Sequence, residues 1–312
     1  MKNSAEKIYF QVDAAFHRRR LDDFLFDKFY SLSRMYLRNV VKEGRCEVNG
    51  YTANTGVKLR ANDFIEIEVD LSRETAMKPE ARPLDIVYEE AEFLLVNKPA
   101  ELLVHPTHRD KNGTLLNALS HYLNQKTIRQ RMEEDNEEIQ SAILNPKSQI
   151  VRPGLIHRLD KKTSGLILIS KTARAHQFLS NHFERRLIEK KYLAIVEGVV
   201  KTDAGEITAP IGRFEDTKHW NVKADGKRAE TRFWIKERFA DATLLELQPI
   251  TGRTNQLRIH CAFIGHPIIG DDKHQGRAFA RLCLHAYKLA FNHPVNHRRL
   301  DFEIDLPEDF FN

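Results

Sequence analysis

Apolar positions follow two periods along the chain, and the change of period divides it. From Ser31 to Lys42 the pattern is helical. Leu32, Tyr36, Leu37, Val40 and Val41 share one side, while Arg34, Arg38 and Lys42 recur every fourth residue on the other, followed by Arg45. Val48-Asn49-Gly50-Tyr51 predicts a hairpin, because Asn-Gly supplies the two positive φ angles of a tight turn. Phe64 to Val69 alternates as a strand, with Ile65, Ile67 and Val69 on one face and Glu66 and Glu68 on the other. These signals predict a small helix-plus-hairpin domain over residues 1–72, with its core at about 17–72. A polar stretch over 73–82 reads as a linker.

Residues 83–312 read as a second domain, rich in short strands: Leu84–Tyr88, Phe93–Val96, Gly165–Ile169, Tyr192–Val196, Glu230–Ile235 and Thr243–Leu247. Helical patterns fall at Thr114–Leu123, Ala173–Arg186 and Asn255–Phe263. Strands outnumber helices and do not alternate with them. That predicts an α+β fold with a mixed, mostly antiparallel central sheet, not a doubly wound one. Lys126 to Gln149 is polar and charged, and is expected to be an exposed insertion.

Composition adds bounds. A hydrophobic share of 41% over 312 residues suits a globular chain. The formal net charge of +5 permits a polyanionic partner. Within His17 to Arg60, ten Lys/Arg stand against five Asp/Glu, so the basic helix face suits phosphate backbones, though a solvated face has the same look. Cys46, Cys261 and Cys283 are too scattered for a disulfide framework or thiolate zinc site. Met1 to Asp13 lacks an apolar signal core and no run is long enough to span a bilayer, so a cytoplasmic protein is expected. No compact histidine ligand set, Gly-x-Gly-x-x-Gly or Gly-Lys-Ser/Thr loop occurs, so neither metal nor nucleotide cofactor is expected.

Three segments carry candidate chemistry. In Gly154-Leu155-Ile156-His157-Arg158-Leu159-Asp160-Lys161-Lys162-Thr163-Ser164-Gly165-Leu166, one carboxylate follows a His-Arg pair and precedes an apolar run. Alone, Asp160 reads as a turn residue; on a rigid scaffold it can be a nucleophile. In Glu189-Lys190-Lys191-Tyr192-Leu193-Ala194-Ile195-Val196-Glu197-Gly198, Tyr192 opens a strand, where Tyr ordinarily packs. In Pro249-Ile250-Thr251-Gly252-Arg253-Thr254-Asn255-Gln256-Leu257-Arg258-Ile259-His260, a strand ends in a Thr-Gly turn and enters a helix carrying Arg253, Arg258 and His260. Arginines at a helix start suit anions.

In this order, the three segments resemble the signature of the RluA-type pseudouridine synthases, with further likeness at Val96-Asn97-Lys98-Pro99, Gly265-His266-Pro267-Ile268 and Leu284-His285-Ala286. The N-terminal unit resembles the small RNA-binding module first described in a small-subunit ribosomal protein. The resemblance implies that Asp160 is the catalytic aspartate, Tyr192 the ring that stacks on the target base and the general base, and Arg258 the cation paired with the aspartate. It implies that Arg158 fills the gap left by a flipped base and that Leu284 packs near that base. His157, Arg253, Arg34, Arg38 and Lys42 complete the expected RNA-binding set. Asn255 departs from the family's usual His, Glu101 from Gly, and Asp271-Asp272-Lys273-His274-Gln275-Gly276 lacks the usual Tyr.

The implied reaction detaches uracil from ribose, turns the ring and rejoins it through carbon 5. It needs no redox partner or group donor, in agreement with the missing cofactor motifs. A fused RNA-binding module favours ribosomal RNA of the large subunit, acted on by a monomer. A tRNA substrate, a non-catalytic ribosome-assembly role and a base-removing hydrolase are the alternatives. His157-Arg158-Leu159-Asp160 only superficially echoes a kinase catalytic loop, since no Asp-Phe-Gly or glycine-rich loop accompanies it.

Overall fold

The computed structural model describes residues 5–29, 32–71, 78–107, 110–133 and 153–311. By their contacts the residues form two units: Met1–Arg82 with Pro106–Val151, and Pro83–His105 with Arg152–Asn312.

The first unit contains β1 (Ala5–Gln11), α1 (Leu21–Lys28), α2 (Arg34–Lys42), β2 (Cys46–Val48), β3 (Tyr51–Thr52), β4 (Phe64–Asp70) and α3 (Leu115–Glu133). The strands form an antiparallel sheet in the order β1-β4-β2-β3. The predicted hairpin is present, with Asn49 at φ 54° and Gly50 at φ 78°. Helix α2 begins at Arg34 because Ser33 is extended and its Oγ accepts from the Tyr36 amide, capping the helix there. Tyr36, Leu37, Val40 and Val41 pack with Ile65, Ile67 and Val69 of β4 in one core. Two elements lacked a readable period. β1 is an edge strand that buries only Ile8, and α1 is short with acidic residues beside its buried Leu21, Phe24 and Leu25. Of the stretch expected to be an insertion, the backbone is helical to Glu133, and 134–149 lie outside the described residues.

The second unit is built on β5 (Ile86–Glu89), β6 (Phe93–Lys98), β7 (Gly154–Leu155), β8 (Ser164–Ser170), α4 (Ala173–Glu184), β9 (Glu189–Glu197), β10 (Ala204–Thr208), β11 (Ile211–Arg213), β12 (Trp220–Val222), β13 (Glu230–Arg238), β14 (Ala242–Pro249), α5 (Gln256–Phe263), β15 (Leu284–Asn292) and β16 (Arg299–Glu303). The large sheet runs β10-β13-β14-β9-β15-β8-β6-β5, with β16 on β15 and β7 on β8. Its described pairings are antiparallel except β8 with β15. The fold is therefore α+β with a mostly antiparallel sheet, as expected. Strand β8 is buried at every position because neighbours cover both its faces, and its apolar run made it readable.

Strand β15 lies at the centre of the sheet yet carries Lys288, His285 and Tyr287 among its apolar residues, which hid it from pattern reading. Gly165 is what lets β8 meet it. At φ +115° a Cβ there would sit 2.3 Å from the Ala286 carbonyl oxygen, a clash no side chain could relieve. The parallel pairing of Ser164 with His285 follows, and it brings the segment before β8 beside the start of β15.

Candidate active site

A cleft of about 280 Å³ opens in the second unit between the 157–163 segment, β9, the turn before α5 and the start of β15. Burial alternates along 157–160. His157 and Leu159 are buried, Arg158 is exposed and Asp160 half-buried. All four line the cleft, and Asp160 is the only carboxylate among its described lining residues. Beneath this segment lies Lys98, fully buried at the end of β6. Its Nζ donates to the carbonyls of Pro99 (2.8 Å), Leu102 (2.9 Å) and Lys161 (3.1 Å), tying the strand end to the residue after Asp160. Burial pushes the Lys98 pKa down to about 7, against the attraction of Asp160 and Glu101. Lys162 pairs with Asp272 at 2.9 Å and fixes the segment's far end.

His157 is held from the wall side. Its Nε2 accepts from the Leu168 amide at 3.0 Å and its ring stacks on Phe183. Burial pushes its pKa down to about 3, so the ring is neutral and serves to shape the wall. Arg158 has no ion pair among the described residues. Tyr192 and Leu284 reach the same cleft from β9 and β15. Burial, then the Asp160 charge, push the Tyr192 phenol above its ordinary pKa. Both effects favour the neutral phenol over the phenolate.

The partner expected for Arg258 also changes. Its guanidinium is buried on α5 and engages Asp271 in a fork, Nε to Oδ2 at 2.8 Å and Nη2 to Oδ1. Asp272 lies 4.0 Å away, and Asn255 Oδ1 accepts from Nη1 at 3.4 Å. Among the described residues no ion pair joins Arg258 to Asp160. Burial alone would lower the Arg258 pKa, but Asp271's hydrogen bonds and charge outweigh it, with smaller help from Asp160 and Asp272, and raise it. Arg258 thus faces the cleft as an already paired cation whose field Asp160 feels through space.

Arg253 also lines the cleft. It lies in the turn ahead of α5, with Nε donating to the Arg228 carbonyl at 3.0 Å. That turn is organised by Gln256, a residue whose part was not read from sequence. Its Oε1 accepts from Thr251 Oγ1 (2.6 Å) and the Arg253 amide (3.0 Å), and its Nε2 donates to the Glu230 carbonyl (2.9 Å) and Thr231 Oγ1 (3.0 Å). Asn255, in the left-handed region at φ 53°, completes the turn.

Arg34, Arg38 and Lys42 belong to the first unit and do not line the cleft. They are exposed along α2 as predicted. Arg38 shares the buried Asp22 with Arg20, and Arg34 pairs with Asp23, while Lys42 has no ion pair among the described residues. Among those residues no group of three or more His, Cys, Asp or Glu could hold a metal ion, and no helix is long and apolar enough to cross a membrane.

The family profile of the RNA pseudouridylate synthases matches residues 92–263, more than half of the chain. An uncharacterised RNA pseudouridine synthase of Bacillus subtilis (strain 168) is 37% identical over 294 residues, covering 93% of this chain and 91% of that protein. Ribosomal large subunit pseudouridine synthase D of Escherichia coli (strain K12) is 32% identical over 309 residues, covering 93% and 88%. Among solved structures, human RNA pseudouridylate synthase domain containing 4 superposes with a TM-score of 0.55 at 25% identity, over 72% of this chain and 90% of its own. Human RNA pseudouridylate synthase domain containing 1 shares the fold, with the same TM-score at 24% identity over 74% and 87%. The matched span holds the Asp160 segment, β9 and the Arg258 helix, and the chain belongs to the RNA pseudouridylate synthase family, as an RNA pseudouridine synthase of RluA type.

Proposed function

We propose that this enzyme converts specific uridines of large-subunit ribosomal RNA to pseudouridine, with Asp160 as nucleophile. The observation that carries the reading is the convergence of one carboxylate, Asp160, with the Tyr192 ring and Arg158, which has no ion pair among the described residues, on a single cleft. Relatives named for the ribosomal large subunit, matched over 93% of this chain, favour that RNA. Its three cysteines are free and buried, in keeping with a reducing cytoplasm. Residues 1–72 are proposed as an RNA-docking module that presents Arg34, Arg38 and Lys42, with 73–82 as the linker to a catalytic domain over 83–312.

In this mechanism the target uridine leaves its stack and Arg158 occupies the gap, which offsets the unstacking cost. The uracil ring lies against Tyr192, with Leu284 beside it. The N1–C1′ bond breaks while the Asp160 carboxylate holds one fragment, the ring turns, and a C5–C1′ bond forms. The proton on C5 leaves last. Asp160, free again and the one carboxylate on the described wall, accepts it, and the proton passes through solvent to N1, which restores the carboxylate. Arg258, neutralised by Asp271, orients the site without forming a tight pair that would blunt the nucleophile.

Pseudouridine mapping of total RNA from cells with and without the gene tests this. At least one large-subunit ribosomal site should disappear, return with the intact gene and stay absent with Asp160→Asn. Loss confined to tRNA would reassign the substrate, and no lost site would overturn the proposal.

A further inference from the structure

Two adjacent lysines on β9 have opposite surroundings. Lys191 is paired with Glu246 at 2.7 Å. Lys190 lines the cleft, and among the described residues no acid pairs with it. Its Nζ lies over the Phe183 ring, 4.3 Å from the centroid, and Phe183 in turn stacks on His157 with centroids 5.0 Å apart. A ring face offsets part of the cost of withdrawing an ammonium from water, but supplies no counter-charge. Arg186 adds further positive charge, and burial followed by Arg186 pushes the Lys190 pKa down to about 8. The free protein therefore holds a cation that an incoming anion would stabilise.

Lys190 and Tyr192 are two apart on one strand, so their side chains share a face about 6.5 Å apart along it. That spacing sets an ammonium beside an aromatic ring at the separation of a nucleotide's phosphate from its base. We infer that Lys190 is the phosphate-binding residue of the cleft, gripping a phosphodiester next to the target uridine while Tyr192 takes the ring. The inference rests on the proposal that a flipped uridine occupies the Asp160 cleft. It gives Lys190 a binding role, separate from the chemistry at Asp160.

The test uses the full chain on unmodified large-subunit ribosomal RNA transcribed in vitro. Lys190→Met keeps the stem and removes the charge. It should raise KM about tenfold with a smaller change in kcat. It should also reduce the slope of log(kcat/KM) against log salt by about one, the signature of one lost phosphate contact. Lys190→Arg should restore both. Independently of any variant, a synthetic RNA with neutral methylphosphonates flanking the mapped uridine should raise KM similarly for the wild-type enzyme. Unchanged KM and salt slope in Lys190→Met, or no response to the neutral linkages, would overturn the phosphate site and leave the enzyme reading intact. A wild-type enzyme that makes no pseudouridine on this RNA would overturn both.

Discussion

The cations of α2 and those of the cleft are handled in opposite ways. The two arginines of α2, and Arg20 just before α1, are matched by acids of their own unit: Arg20 and Arg38 on Asp22, Arg34 on Asp23. In the cleft, Arg158, Arg253 and Lys190 have no acid among the described residues, whereas Arg258 is engaged by Asp271. The α2 arginines are thus part-neutralised within their own unit before any anion arrives, whereas Arg158 and Lys190 offer an incoming anion a whole charge. A basic stripe in sequence says nothing of this, because the acids that neutralise it come from another helix or a distant loop.

The contrast can be broken at its strongest point first. Asp271→Ala leaves the Arg258 guanidinium buried without a partner and should cost about 3–5 kcal/mol of stability, read by urea unfolding. If it costs little, the pair is dispensable and the α5 end is held by Gln256 alone. Asp22→Ala removes a carboxylate whose side chain is 1% exposed and that serves two arginines. Those arginines can still reach water, so the loss should be smaller, about 2 kcal/mol in the melting of the first unit. Arg158→Ala should leave the melting temperature unchanged and lower kcat/KM about tenfold, since its task arises only with RNA bound. A drop in melting temperature there would mark Arg158 as scaffold and erase the distinction.

Much of this was legible in the chain. The Val48–Tyr51 hairpin, the alternation of β4 and the apolar run of β8 each stand on local pattern, and the structure has them where the pattern put them. Strand β15 was not legible, because His285 and Tyr287 are buried polar rings whose partners, Ser164 and Glu246, lie far away in sequence. The cleft residues were named from their segments, but their pairings were not. Arg258 was expected on Asp160 and sits on Asp271, since the fork geometry depends on how the 271–276 loop packs. Lys98 and Gln256 lay within quoted motifs, yet their work is to satisfy backbone groups that only the folded loops present. The signal was there in the types, a Lys inside an apolar strand and a Gln at a helix start, but not the reason.

The central claim is that Asp160 does chemistry that the rest of the cleft only prepares. Asp160→Asn, nearly isosteric, should be assayed on unmodified large-subunit ribosomal RNA in a single turnover, with RNA affinity measured on the same sample at fixed salt. The expected result is an RNA affinity within about threefold of wild type and a rate of pseudouridine formation lower by at least about a thousandfold. Pseudouridine formed at a near wild-type rate would contradict the account.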